Sequence, residues 1–160
     1  MEVRIREATP DDFTELWRID QLCFETGIAY SRRELAWYMK LRGAFTIVGE
    51  SRKGPRDKWK IVGFAVGQQP RRSLGHIVTI DILPEARRTG IGSRLMQEIE
   101  TRLQVDGCET IFLETAVDNT AAIKFYKRLG YFIVKTIPRY YLDKIDALMM
   151  SKDLRAKQKA

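Results

Sequence analysis

The chain has 160 residues, 44% of them hydrophobic, and a formal net charge of +7 at pH 7; that length suits a single domain with a core of its own. No apolar run is long enough to cross a bilayer, and Glu2, Arg4, Arg6 and Glu7 interrupt the start, so neither a membrane span nor a signal peptide is expected. The two cysteines, Cys23 and Cys108, lack metal-ligand spacing and make no disulfide framework, which favours a reducing, cytoplasmic setting. The positive balance suits nucleic acid, a ribosome or a polyanionic small ligand, and equally a generally basic surface, because Lys and Arg are spread along the chain.

Residues 2–8 alternate, Val3 and Ile5 against Arg4 and Arg6, as a half-buried strand does. Thr9-Pro10-Asp11-Asp12 opens a helix with a cap, a first-turn proline and acids at the positive dipole end; Phe13, Leu16 and Trp17 then share a face. Residues 24–30 form a loop with Phe24, Ile28 and Tyr30, which either pack between two helices or line a groove. Ser31-Arg32-Arg33-Glu34 is a capping box for a second helix with Leu35, Tyr38 and Met39 inward. Residues 44–50 and 58–67 read as strands joined by a polar hairpin loop, and Pro70-Arg71-Arg72-Ser73 as the turn that follows.

The central stretch is 74–93, LGHIVTIDILPEARRTGIGS. Its first part is dense in β-branched residues and apolar on both faces, a buried strand in which His76 shares a face with Val78, Ile80 and Ile82. Pro84 ends the pairing, and Arg87-Arg88-Thr89-Gly90-Ile91-Gly92-Ser93 leads into a helix with Ile91, Leu95, Ile99 and Leu103 on one side. Two glycines beside free helix-start N–H groups and two arginines suit a pyrophosphate; a strained turn with nothing bound is the plainer alternative. The loop is neither a P-loop, which would need Lys-Ser/Thr, nor a complete G-x-G-x-x-G, since residue 95 is Leu.

Asp106-Gly107 stops that helix, and 110–115 is a second buried strand, so the strand–helix–strand unit implies a parallel pair. Asp118-Asn119-Thr120 caps a helix whose inner face is Ala122, Phe125, Tyr126 and Leu129. Residues 131–136 read as a strand, Pro138-Arg139-Tyr140-Tyr141 as a loop and 147–152 as a closing strand. The predicted class is a mixed α/β sheet in one domain, 1–155, ordered βααβββαβαββ with helices on both faces, followed by a solvated basic tail, 156–160.

Arg87-x-x-Gly90-x-Gly92 resembles the Q/R-x-x-G-x-G/A loop of the GNAT acetyltransferase superfamily, and the element order is similar to that family's. Leu113-Glu114, Asn119, Ala122, Tyr126 and Gly130-Tyr131 are similar to the signature of its RimI-type and N-alpha-acetyltransferase branch, as are Tyr140-Tyr141 and Asp146-Ala147-x-Met149. The clear resemblance covers residues 74–153; the first half agrees in element order only.

The resemblance implies an acetyl-coenzyme A-dependent N-acetyltransferase with splayed central parallel strands and no metal. Glu114 stands in an otherwise apolar strand at the ligand end of a parallel pair, where it is either paired with an arginine or functional. The family implies a general base, and archaeal- and eukaryotic-type members imply that His76 acts with it. His76 also reads as an ordinary strand histidine, although its ordinary pKa of about 6.5 suits accepting a proton from an α-amine. Tyr126 belongs to an apolar stripe; the family implies a general acid for the coenzyme thiolate.

The remaining carry-over concerns binding. The backbone of Ile80, Asp81 and Ile82 would meet the pantetheine arm and the thioester oxygen. Arg87, Arg88, Thr89, Gly90, Ile91, Gly92 and Ser93 would hold the pyrophosphate. Asn119 would cap its helix and also contact the arm, while Phe24, Tyr30, Tyr140 and Tyr141 would clamp a peptide. These implications favour a protein or peptide N-terminus as acceptor, ribosomal proteins included, and direct transfer, since neither cysteine lies in the motifs. The alternatives are a GNAT enzyme for a small amine or a lysine side chain, and a non-catalytic basic RNA- or ribosome-binding module.

Overall fold

The computed structural model describes residues 1–25 and 28–155. Thr26 and Gly27 of the expected 24–30 loop, and the whole of the expected 156–160 tail, lie outside the described residues. The elements are β1 (Glu2–Glu7), α1 (Phe13–Cys23), α2 (Arg32–Met39), β2 (Ala44–Arg52), β3 (Lys60–Arg71), β4 (Leu74–Ile82), α3 (Ile91–Val105), β5 (Thr110–Ala116), α4 (Thr120–Arg128), β6 (Phe132–Tyr141) and β7 (Ile145–Asp153). This is the βααβββαβαββ order read from the sequence. One sheet runs β1-β2-β3-β4-β5-β7-β6; β4 and β5 pair parallel, the other neighbours antiparallel.

Alternation along the strands divides the core between two helix layers. Val48, Phe64 and Val66 join Leu16 and Ile19 of α1 and Leu35 of α2. Ile47, Ala65 and Ile77 join Leu95, Ile99 and Leu103 of α3 and Tyr126 of α4. The stripe Ile91, Leu95, Ile99, Leu103 is buried, as its spacing predicts. The Ser31 hydroxyl accepts from the Glu34 N–H at 3.1 Å and the Glu34 carboxylate from the Ser31 N–H at 3.0 Å, so the capping box closes. Among the described residues no helix is long and apolar enough to cross a membrane.

Three local expectations are corrected. First, residues 70–71 belong to β3, not to the turn. The ladder is irregular between Gln68 and Arg71, which accommodates Pro70, a residue with no N–H to give. Second, residues 138–141 are not a loop but the end of β6. Pro138 is tolerated because β6 is an edge strand, and an irregularity between Ile137 and Tyr141 places Arg139 at φ +50°. Leu142 and Asp143, at φ +55° and +52°, then form the corner of the three-residue turn, 142–144, that leads to β7.

Third, β4 is not apolar on both faces in a uniform pleat. Gly67 pairs with Ile77 and Val66 with Thr79, so Val78 is a bulged extra residue and the faces exchange across it. His76 therefore does not share a face with Ile80 and Ile82. Those two join the α3 side with Ile77, whereas Thr79 and Asp81 are buried on the α1 side. β4 and β5 pair only from Leu74↔Thr110 to His76↔Phe112 and then separate. The bulge bends β4 at the point where the strands part, which is the expected splay.

Candidate active site

The parting of β4 from β5 opens a cleft of about 430 Å³. Its walls are Val78 and Ile80 on β4, Glu114 and Thr115 on β5, Asn119 and Tyr126 at α4, Tyr141 at the end of β6, and Phe24, Ile28 and Tyr30 after α1. Phe24, Tyr30, Ile80, Glu114, Asn119, Tyr126 and Tyr141, all singled out in the sequence, thus meet at one place, while His76, Asp81, Ile82 and residues 87–93 are not part of its lining. Tyr140 does not line it; it stands 49% exposed and edge-on to Tyr141.

On the α1 side, His76 Nε2 lies 2.8 Å from Glu114 Oε2. The pairing His76↔Phe112 sets the imidazole beside β5, and the ring stacks on Phe112 at 4.3 Å between centroids. Both side chains are largely shielded, at 19% and 14% exposure. With Nε2–H donating to the carboxylate, the imidazole is oriented and the second Glu114 oxygen stays available to a substrate. Tyr30, Tyr140 and Tyr141 are neutral donors at ordinary pH. Burial raises all three, Tyr140 to about 12.

On the α3 side, Tyr126 is buried and burial likewise raises its hydroxyl, which therefore keeps its proton. Its side chain lines the cleft. The Leu83 N–H donates to the Val62 carbonyl at 2.9 Å, so by strand alternation the N–H groups of Ile80 and Ile82 point the other way, toward the cleft. The Ile82 carbonyl accepts from Arg87 Nε at 3.0 Å and from the Cys23 thiol at 3.3 Å. The Asp81 side chain is turned into the core, leaving only its backbone near the opening.

The 87–93 turn forms an anion cradle. Arg88 and Gly90 sit at φ +63° and +86°, and a Cβ on Gly90 would meet nothing within 4 Å. Among the described residues, no carbonyl or side chain accepts from the N–H groups of residues 88–93. Those groups gather at the positive end of α3, a ready site for a phosphate. Gly92 does a different job from Gly90. A Cβ there would lie 3.2 Å from the Phe125 ring, so it permits α4 to approach α3. The Thr89 hydroxyl donates to the Ala86 carbonyl and Ile91 is buried, so of these two only backbone faces the cradle. Arg88 and Ser93 are exposed beside it.

Asn119 is the cap of α4, its Oδ1 accepting from the Ala122 N–H at 3.2 Å. Asn119→Ala is expected to cost about 1 kcal/mol in thermal or urea unfolding. Asn119→Asp should restore that stability; a cofactor KM that stays raised in the aspartate variant would reveal the second role, contact with the bound arm.

Sequence reasoning set Cys23 aside, yet it lines the cleft. Burial pushes its thiol up to about 11, so it is protonated and a poor nucleophile. It also passed over Asp20, which is fully buried on α1 with Leu16 and Ile19. The available signal was an acid in an apolar stripe facing another acid, Asp81, in an apolar strand. Among the described residues no group of three His, Cys, Asp or Glu could hold a metal ion.

Comparison with known proteins agrees with this geometry. The model of the acetyltransferase (GNAT) family matches residues 11–131. An N-alpha-acetyltransferase of Sulfurisphaera tokodaii is 33% identical over 164 residues, covering 96% of this chain and 94% of that protein. Among solved structures, Ard1 from Thermoplasma volcanium superposes with a TM-score of 0.83 at 26% identity, covering 96% of this chain and 98% of that one. The ribosomal-protein-S18-alanine N-acetyltransferase from Escherichia coli shares the fold, with a TM-score of 0.81 at 22% identity over 96% of this chain and 94% of that one. With a family match across most of its length and a relative similar from end to end, the chain belongs to the acetyltransferase (GNAT) family.

Proposed function

We propose that the chain transfers the acetyl group of acetyl-coenzyme A to the free α-amine of a protein or peptide N-terminus, by direct attack in a ternary complex. The observation that carries this reading is the cleft itself. It has a carboxylate–imidazole pair and a tyrosine-rich wall on one side, and unpaired N–H groups with a buried tyrosine hydroxyl on the other. Acetyl-coenzyme A supplies the acetyl group as a thioester. The N–H groups of residues 88–93 would hold its pyrophosphate, with Arg88 adding charge; Arg87 is partly engaged by the Ile82 carbonyl. The Ile80 and Ile82 N–H groups would hold the arm, with Ile82 meeting the thioester oxygen as negative charge develops there.

An α-amine with an ordinary pKa of about 8 is mostly protonated at neutral pH and must lose its proton to attack. Glu114, oriented by His76, accepts it directly or through one water. Tyr126 gives its proton to the departing thiolate. The protonated Cys23 supports direct attack over an acetyl-cysteine intermediate. Phe24, Tyr30 and Tyr141 bound the space where the first residues of a peptide would lie. The His76–Glu114 contact and the archaeal relative favour the N-alpha-acetyltransferase side of the branch over its RimI side.

A peptide panel with acetyl-coenzyme A, read by mass spectrometry, tests this. Each peptide carries a free or blocked N-terminus, with or without a lysine, and ribosomal-protein N-termini are included. One acetyl gained only on free N-termini is expected. Acetylation of blocked, lysine-bearing peptides would move the acceptor to lysine, and turnover of small amines alone would exclude peptides. Salt-dependent RNA binding with no turnover of any amine would favour the binding-module reading.

A further inference from the structure

Asp20 of α1 and Asp81 of β4 are 0% and 1% exposed, and their side chains face one another across the interface of helix and sheet. Each has one oxygen satisfied by a neighbour. Asp20 Oδ2 accepts from the Tyr30 N–H at 2.7 Å, and Asp81 Oδ1 accepts from the Thr79 hydroxyl at 2.6 Å. The other two oxygens, Asp20 Oδ1 and Asp81 Oδ2, are buried with no donor. Two bare carboxylates so placed would repel in a medium that stabilises neither charge. One proton between the two orphan oxygens removes a charge and satisfies both atoms.

The pair also joins two walls of the cleft. The Tyr30 peptide is fastened to α1 at both ends, because its carbonyl accepts from Trp17 Nε1 at 3.1 Å and Gln21 Nε2 at 2.7 Å while its N–H bonds Asp20. Asp81 lies between Ile80 and Ile82, whose N–H groups face the opening. We propose that a single proton shared by Asp20 and Asp81 fastens the acceptor wall at Tyr30 to the strand that presents Ile80 and Ile82, making both aspartates positioning residues for the acceptor amine. The positioning half of this rests on the acetyl-transfer reading above; the shared proton does not.

Burial first, and then Asp20, raise Asp81 well above the usual carboxylate range, and burial raises Asp20 as well; the Thr79 hydroxyl and the Tyr30 N–H favour the charged forms of Asp81 and Asp20 respectively. The other groups that act on the pair are Cys23 at the end of α1, the Tyr30 phenol, Glu34 on α2, Arg87 after β4 and Tyr126 on α4. Arg87 pulls Asp81 down, which burial outweighs, and Glu34 pushes Asp20 up in the same direction as burial. Because Asp81 is raised in the folded chain, its contribution to stability is complete below the ordinary value of about 4 and is lost as pH rises through the raised value. Between those limits folding takes up one proton, and the unfolding equilibrium constant gains up to tenfold per pH unit.

The test uses the whole chain in three forms. Wild type should show that dependence in urea unfolding from pH 5 upward. Asp81→Asn keeps an acceptor for Thr79 and offers Asp20 an N–H that does not titrate, so this component of the slope should vanish. Asp81→Leu removes the link, and hydrogen exchange at the Tyr30 amide should speed up about tenfold, with Asp81→Asn restoring protection. The ratio of acceptor KM, wild type over Asp81→Asn, should climb with pH. An unchanged slope in Asp81→Asn would overturn the shared proton. Unaltered Tyr30 exchange in Asp81→Leu would overturn the fastening, and a flat KM ratio the positioning role. A chain inert toward every peptide, with slope and exchange as expected, would place the fault in the choice of acceptor and leave the proton link supported.

Discussion

Glu114→Gln is expected to lower kcat by about 10²–10⁴-fold, with cofactor KM nearly unchanged. That range equals about 3–5.5 kcal/mol of barrier. Glutamine has the shape of glutamate and can still meet His76 Nε2, which lies 2.8 Å from the carboxylate, so the cleft should keep its form. What the variant loses is a group that can take a proton from the attacking amine. The partner variants separate the roles. His76→Ala removes the orienting contact and leaves the carboxylate; a small loss there would make Glu114 sufficient, and a loss approaching that of Glu114→Gln would make the two a unit. Tyr126→Phe removes only the hydroxyl, and its deficit should shrink with an acyl donor whose thiol leaves more easily. Near wild-type kcat in both Glu114→Gln and Tyr126→Phe would overturn the assignment.

What the sequence conveyed about this site follows from the range of the interactions involved. The Ser31 capping box and the Ile91–Leu95–Ile99–Leu103 stripe are contacts within one element, and both are written in local spacing. The glycine turn before α3 is equally local. The bulge at Val78 was invisible because Val78, Thr79 and Ile80 are all good strand residues, and the extra residue is defined only by the partner strand. The end of β6 was misread for a related reason. Pro138 usually breaks a strand, and Leu142-Asp143-Lys144 lacks the glycine expected of a short hairpin turn. Asp20 and Asp81 are 61 positions apart in number, and each alone looks like a misplaced acid. Only the fold shows that each explains the other.

Phe64→Ala should be the most costly single truncation of the core, at about 3–5 kcal/mol. Phe64 is fully buried in β3 and heads the largest buried side chains of the molecule. It faces Leu16 and Ile19 of α1 and Leu35 of α2, in the cluster that attaches that helix layer to the sheet. Its own strand is held by backbone ladders on both sides, to β2 and to β4, so the sheet cannot move to close the space left behind. The deficit therefore includes a cavity as well as lost transfer of the ring from water. For a domain of this size it should lower Tm by about 10 °C or more. Phe132→Ala is the control. Phe132 begins edge strand β6 and is 57% exposed, so the same chemical change should fall within about 0.5 kcal/mol. Urea unfolding of both variants with an unchanged m-value would isolate burial as the cause; equal losses would mean that β6 is covered in solution.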